Sequence, residues 1–219
     1  MSGWRAHVDR EAARYHDGLE RLPEDADARQ KQLVRVANAA VGAGLSLLMD
    51  GHGEEARGWF TGAAERYRES LAGAPAGSWG RLIGAVKMRL LADDSSGAAA
   101  DARWTLEQGS AEADSPIGRY AAALAGLVLG DDAQAAQLAR SLQSEPEERF
   151  PGGVADALAG LAGRDDALYE DGLRRTLISF ETRDAYLEDV AVADTVLVLE
   201  ALAEPRGMAR HPTSPLLPT

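Results

Sequence analysis

Apolar residues recur at helical spacing along almost the whole chain, and short clusters of Gly, Pro, Asp and Ser interrupt them. Alanine, leucine, arginine and glutamate, which are good helix formers, dominate the segments between these clusters, and few residues favour strands. The pattern therefore predicts an all-α fold. The predicted helices cover residues 3–22, 27–49, 53–73, 78–92, 97–108, 116–129, 132–144, 151–162, 166–181 and 186–203.

None of the interruptions is long enough to be a linker between domains, so the sequence predicts a single helical domain over residues 1–210. Residues 211–219, HPTSPLLPT, contain three prolines and cannot form a helix. The last predicted helix is apolar on most of its circumference, and Met208, Leu216 and Leu217 are the apolar residues that remain to cover it. We therefore expect the extended tail to fold back along the last helix pair.

Nearly the same eleven residues occur twice in the chain. ALAGLVLGDDA begins at Ala123 and ALAGLAGRDDA begins 34 residues later, at Ala157, and eight of the eleven positions are identical. Each ALAGL ends a predicted helix, where its small side chains allow the paired helix to approach closely. The acidic pairs Asp131–Asp132 and Asp165–Asp166 follow at the turn, where they can cap the next helix by accepting its free N–H groups. The recurrence therefore predicts two equivalent helical hairpins.

A period of 34 residues is that of the tetratricopeptide repeat. The segment GLSLLMDGHGEEARGWFTGA also resembles the tetratricopeptide signature, at Gly44, Gly51, Ala56, Phe60 and Ala63. The Trp and Tyr usual in the first helix and the closing proline are missing. The resemblance implies a right-handed superhelix of about five antiparallel αα-hairpins. It also implies that Ala56, Phe60 and Ala63 form the core between successive repeats.

The composition limits the functional classes that the chain can belong to. It contains no cysteine, which excludes disulfides, thiolate metal sites and a cysteine nucleophile, and which fits a reducing cytoplasm. The first thirty residues are charged throughout and contain no apolar signal segment. No run of eighteen apolar residues occurs anywhere. These features predict a cytoplasmic protein with no membrane partner.

The net charge of −12 argues against a nucleic-acid partner, because binding a polyanion requires a basic surface. Lys31 and Lys87 are the only lysines among the 23 basic residues, and the others are arginines. Either a GC-rich genome or a high-salt cytoplasm would explain this choice, and the sequence does not separate the two.

The residues needed for catalysis are sparse. The histidines are His7, His16, His52 and His211, and neither a GxSxG motif nor a glycine-rich phosphate loop accompanies them. His7 and Glu11 are four residues apart and could share a cation, but His16 is turned away by about a quarter of the helix circumference. A solvated polar face is the favoured interpretation. We expect no catalytic residue, no metal site and no cofactor.

Asp194 is the one candidate site residue, because it lies in the apolar segment DVAVADTVLVLEALA. A carboxylate in the middle of such a helix would be at least partly buried and would need a partner or a raised pKa. An ion pair with Arg174, Arg175 or Arg183 of the preceding helix is the favoured interpretation. A ligand-binding or catalytic carboxylate is the alternative.

The last third of the chain resembles a family of immunity proteins. LAGRDDALYEDGLRRTLISFETRD, DTVLVLEALAEPRGM and SPLLP, within residues 157–218, are similar in spacing and residue type to the C-terminal part of the polymorphic-toxin immunity proteins numbered forty-nine. The Arg206–Gly207 turn belongs to this likeness. The resemblance implies a helical, non-enzymatic protein that binds and neutralises a toxin, and it supplies no catalytic residues. The acidic charge agrees with an inhibitor of a nucleic-acid-cutting toxin.

The sequence therefore favours a non-enzymatic protein–protein interaction protein, with immunity to a toxin as its most specific form. The alternative is a sensor or regulatory protein that binds a small ligand in the concave face of the helical array.

Overall fold

The computed structural model describes residues 3–219, and all of its regular secondary structure in that range is helical. Nine of the predicted helices are observed within three residues of their predicted bounds, and those at 116–129 and 166–181 match at both ends. The all-α fold class is confirmed. The helices are α1 Gly3–Glu20, α2 Ala26–Met49, α3 Gly53–Ser70, α4 Trp79–Leu91, α5 Ser95–Glu107, α6 Pro116–Leu129, α7 Asp132–Gln143, α8 Gly152–Gly163, α9 Asp166–Glu181 and α10 Asp194–Ala203.

The chain packs into two compact units. Unit 1 contains α1 to α4 together with residues 184–192 and 214–219, and unit 2 contains residues 95–183 and 193–213 with α5 to α10. Within each unit, helices that follow one another in sequence pack against one another. The prediction of a single domain over 1–210 with a separate tail stays a prediction.

In unit 1 the helix α2 lies between α1 and α3 and supplies more of the core than any other helix. Ala56, Phe60 and Ala63 of α3 are fully buried. A Cβ atom placed on Gly44 of α2 would lie 2.5 Å from Cε1 of Phe60, so the glycine provides the space that the phenyl ring occupies. The burial of the three residues is thus established, and their role between successive repeats stays a prediction.

Among residues 3–219 only α2 is long and apolar enough, by length and composition, to cross a membrane. A buried core helix passes the same test, and 67% of the apolar stretch is buried in this structure. The helix is therefore weak evidence for a membrane span.

Glu11 of α1 is fully buried, although its spacing from His7 favoured a solvated polar face. The predicted solvent exposure was therefore wrong for Glu11. Its buried carboxylate is compensated by hydrogen bonds that it accepts from Arg10 Nε at 2.7 Å and Arg14 Nη1 at 2.8 Å. Arg14 also donates to the Glu188 carboxylate, and this hydrogen bond is the main cause that raises the pKa of Arg14. The segment around Glu188 thus belongs to the charge network of unit 1.

In unit 2 the two ALAGL–DDA segments form equivalent turns. Asp131 accepts a hydrogen bond from the N–H of Gln134 at 3.0 Å, and Asp165 accepts one from the N–H of Leu168 at 3.0 Å. The preceding helices end at Gly130 and Arg164, which have left-handed φ angles of 76° and 54°. The predicted helix caps are confirmed at both turns.

The helix contacts beside these turns also repeat. A Cβ atom on Gly126 would lie 3.3 Å from Cβ of Ala135, whereas a Cβ atom on Gly160 would lie 2.4 Å from the backbone N of Tyr169. Both the glycines and their neighbours are 34 residues apart in the chain. The small residues of ALAGL therefore allow α6 to approach α7, and α8 to approach α9, as the sequence predicted.

Two arginines near the C-terminus bind the second aspartate of each turn. Arg206 donates to Asp132 at 2.7 Å and to the carbonyl of Leu127 at 2.7 Å, and Arg210 donates to Asp166. The side chain of Arg206 is only 7% exposed. These contacts hold the end of the chain against both hairpins of unit 2.

A buried phenol completes the C-terminal contacts of unit 2. Tyr169 donates to Glu200 at 2.5 Å, and the same carboxylate accepts the backbone N–H of Arg210 at 2.9 Å. Burial, followed by the hydrogen bond to Glu200, raises the pKa of Tyr169, so that the phenol keeps the proton that it donates.

The predicted start of the last helix was wrong. It was expected over residues 186–203, but α10 begins only at Asp194. Glu188 and Asp189 have left-handed φ angles of 54° and 57°, which no α-helix contains. Val190 and Val192 are buried in the extended segment that follows. The helix therefore starts at Asp194 instead of passing through it.

The C-terminal residues are irregular and packed. Met208 is 4% exposed and Leu217 is 5% exposed, so both apolar side chains are buried as expected. Residues 214–219 belong to unit 1, whereas α9 and α10 belong to unit 2. The expectation that the tail folds back along the last helix pair stays a prediction.

Candidate functional site

Unit 2 contains a cavity of about 290 Å³ between the C-terminal half of α9 and the first residues of α8 and α10. Phe180 and Val154 supply apolar surface on its wall. Most of the other side chains on the wall are polar. The polar residues that line it are Glu147, Arg175, Thr176, Ser179, Arg183, Asp194 and Thr195. We refer to it as the α9 cavity.

Arg175 is fixed on one wall by an ion pair with the neighbouring helix α8. Its guanidinium pairs with the Asp156 carboxylate of α8 at 2.5 Å, and Asp156 also accepts a hydrogen bond from Gln143 of α7 at 2.7 Å. A Cβ atom on Gly152 would lie 2.9 Å from Nη2 of Arg175, so the glycine leaves room for the side chain. The arginine is therefore held in place before any ligand arrives.

The N-terminus of α8 forms the second wall. The Glu147 carboxylate accepts the N–H of Gly152 at 3.0 Å, which satisfies one of the free donors of the helix end. A Cβ atom on Gly153 would lie 3.0 Å from the backbone N of Thr176, so α8 and α9 are in close contact here. Thr176 donates to the carbonyl of Gly172 at 2.8 Å. This wall is therefore rigid.

Arg183 follows the end of α9 and lies over an aromatic ring. Its Cζ atom is 3.6 Å from the ring centroid of Phe180, a cation–π contact, and its Nε donates to the carbonyl of Ser179 at 3.3 Å. The guanidinium stays exposed to solvent at the mouth of the cavity.

Asp194 is the first residue of α10 and is half-buried in the cavity wall. Thr195 lies beside it, with Oγ1 3.5 Å from the Asp194 carboxylate. Of the three arginines that the sequence named as partners, Arg175 and Arg183 line the same cavity, whereas Arg174 pairs with Asp171 on the surface of α9. The ion pair of Asp194 with an arginine stays a prediction.

The charges on the cavity wall balance. Arg175 and Arg183 supply two guanidinium groups, and Glu147 and Asp194 supply two carboxylates. Such a wall offers both donors and acceptors but no net charge. It suits a polar group that both donates and accepts hydrogen bonds better than it suits a simple ion.

The outward face of α9 continues from the cavity. Ile178 is 44% exposed, and Asp171, Arg174 and Glu181 lie on the same exposed side of the helix. We call these four residues the α9 surface. In unit 2 as a whole, 18 acidic residues stand against 10 basic ones. The α9 surface therefore presents an apolar side chain within an acidic unit.

No protein-family model, no curated protein and no solved structure matches the chain. The likenesses to tetratricopeptide repeats and to the immunity proteins therefore rest on the residues quoted for them.

None of the four histidines lines the α9 cavity. His7 and His16 are on α1, His52 precedes α3, and His211 lies 3.7 Å from the Glu200 carboxylate. Within residues 3–219, no group of three or more histidine, aspartate and glutamate side chains is placed to hold a metal ion. Sequence reasoning missed Glu147, because its carboxylate reaches the cavity from a loop that carries no motif.

Proposed function

We propose that this chain is a non-enzymatic protein that binds a protein partner through the α9 surface and the α9 cavity. The exposure of Ile178 beside a preformed polar cavity is the observation that carries the proposal. Interfaces commonly combine a central apolar anchor, which is fully desolvated in the complex, with a polar rim. Ile178 supplies such an anchor, and Asp171, Arg174 and Glu181 supply the rim.

The α9 cavity extends this surface inward. Its volume of about 290 Å³ suits one side chain of a partner, and its donors and acceptors suit a polar group at the end of that side chain. Because Arg175 is already fixed by Asp156, little conformational entropy is lost when the cavity is filled.

The charge of unit 2 favours a partner with a basic surface, because opposite charges accelerate association. Immunity to a toxin is the most specific form of the proposal and follows from the resemblance of residues 157–218. A toxin that cuts nucleic acid would carry a basic surface of this kind. A cytoplasmic location, as expected for a chain without cysteine, is part of the same proposal.

The tetratricopeptide-like organisation is also proposed. The two hairpins α6–α7 and α8–α9 share their caps and their close glycine contacts at positions 34 residues apart. These repeated contacts support a helical-repeat protein, in which a right-handed superhelix of about five hairpins would be the complete array.

A small-ligand sensor or regulator is the second candidate, and the polar lining of the α9 cavity favours it. Ligand pockets usually have volumes of about 300–1,000 Å³, so the cavity lies at the lower limit of that range. A small polar molecule that both donates and accepts hydrogen bonds would fit its balanced charges.

The test is affinity purification from the native lysate with the wild type, Ile178→Lys and Ile117→Lys. Ile117 on α6 is 40% exposed, so the second variant introduces the same charge at a matched position outside the α9 surface. We expect wild type and Ile117→Lys to capture the same partner, and Ile178→Lys to lose at least nine-tenths of it. Equal capture by both variants would contradict the proposal. A small molecule released on denaturation, with no captured protein, would support the second candidate.

A further inference from the structure

The helices α1 and α2 of unit 1 flank a separate cavity of about 230 Å³ that is open to solvent. Three arginines line it, Arg14 from α1, Arg21 directly after the end of α1 and Arg35 from α2, together with the polar residues Asp17 and Gln32. A local excess of positive charge is unexpected in a chain with a net charge of −12. We call this the arginine cavity.

Close packing of the two helices brings the arginines together. Arg14 lies on α1, and Arg21 is the first residue after its end, where its backbone N–H still bonds the carbonyl of Asp17 one turn back. The two side chains are seven residues apart and therefore project from the same side, two turns apart. Gly18 lies between them, and a Cβ atom there would lie 2.6 Å from Cγ2 of Val36. Because the glycine permits this approach, Arg35 on α2 reaches the same cavity.

The positive charge of the cavity is only partly neutralised. Arg14 already binds Glu11 and Glu188 and is therefore fixed in position. Arg21 lies 3.6 Å from Asp17, and both of these side chains are more than 60% exposed, where an ion pair is weak. Among residues 3–219, no carboxylate lies within 4.0 Å of the Arg35 guanidinium.

We propose that the arginine cavity binds a phosphate group, either as inorganic phosphate or as part of a small phosphomonoester. Arginine presents a planar set of donors that matches phosphate oxygens in pairs, and two incompletely neutralised guanidiniums complement a doubly charged anion. The cavity is smaller than most ligand pockets, so it holds one anionic group instead of a whole cofactor.

The acidic charge of the rest of the chain favours a small ligand over a long polyanion. A nucleic acid or other long polyanion would extend past the cavity and meet the acidic surface of a chain with a net charge of −12. A compact phosphate group meets only the cavity. A monovalent carboxylate would neutralise less of the charge that Arg21 and Arg35 supply.

The experiment is a titration of the full-length protein with sodium phosphate at constant ionic strength, followed by two-dimensional ¹H–¹⁵N NMR. We expect saturable shifts centred on residues 14–36, and no comparable shifts with sodium acetate. Arg35→Gln should weaken binding at least tenfold. Arg140→Gln is the matched control, because Arg140 is an exposed arginine on α7 in unit 2, and it should leave binding unchanged.

Equal shifts with phosphate and acetate would overturn the proposal, because they would show general screening of charge. So would equal affinities of Arg35→Gln and Arg140→Gln. A parallel titration with phosphoserine separates the two sources: tighter binding than inorganic phosphate identifies a phosphomonoester, and equal or weaker binding identifies the free ion. Partner capture is not measured here, so this result and the result for the α9 surface are independent.

Discussion

Replacing Phe60 with alanine is expected to lower the free energy of unfolding by about 3–5 kcal/mol. The side chain is 0% exposed, and its ring fills the space above Gly44, where even a methyl group would lie 2.5 Å from Cε1. Truncation removes buried apolar area and leaves a cavity that neighbouring helices cannot fill without moving. Chemical denaturation followed by circular dichroism measures the loss.

Two further variants, Phe60→Leu and Gly44→Ala, test whether the contact between the phenyl ring and Gly44 is the cause of this loss. Phe60→Leu keeps most of the apolar volume, so it should lower the free energy of unfolding by much less than Phe60→Ala does. Gly44→Ala should be destabilising in the wild type and less so in the Phe60→Leu background, because the ring that it meets is gone. If Phe60→Ala lowered the free energy of unfolding by less than about 1 kcal/mol, Phe60 would not be a core residue.

Replacing Gly172 with alanine is expected to destabilise the protein by about 1–3 kcal/mol or more. A Cβ atom there would lie 2.3 Å from the backbone N of Ala157 and 2.8 Å from the carbonyl oxygen of Gly153. Both atoms belong to the backbone of α8, so the contact can be relieved only by separating the two helices. The melting temperature and the denaturation midpoint measure this effect.

The control is Gly58→Ala, since a Cβ atom on Gly58 of α3 would meet nothing within 4 Å. Alanine is favoured over glycine inside a helix by about 1 kcal/mol, so this variant should be neutral or slightly stabilised. If the Gly172→Ala protein were as stable as the Gly58→Ala protein, α8 and α9 would not be in the close contact described here.

The helices could be predicted because their signals are local. Asp131 and Asp165 cap helices by binding N–H groups three residues ahead, and Gly130 adopts the left-handed conformation that ends α6. A recurring sequence of this kind specifies its turn regardless of the rest of the chain. The all-α class followed from such local signals.

The errors arose where distant residues decide the structure. Residues 184–192 belong to unit 1, where Glu188 binds Arg10 and Arg14, and these contacts replace the helix that the local pattern favoured. The local pattern carried no warning, because Val190, Ala191 and Val192 are all apolar and show no alternation with polar residues. Nothing near Glu11 in sequence indicated that it would be buried.

The α9 cavity was predictable only in part. Asp194 and two of its candidate arginine neighbours, Arg175 and Arg183, were named from the sequence, since a carboxylate in an apolar segment requires a partner. Glu147 and Thr176 were not, because they reach the cavity only when α8 packs on α9. The arginine cavity was missed for the same reason, since α1 and α2 must pack at Gly18 to form it.

An experimental structure in which residues 116–149 are superposed on residues 150–183 tests whether α6–α7 and α8–α9 are equivalent hairpins of one 34-residue repeat. We expect Asp131 to coincide with Asp165, and Gly126 to coincide with Gly160, each against the second helix of its own hairpin. Two segments that do not align as equivalent hairpins, or an aspartate that caps only one of the two turns, would contradict this expectation.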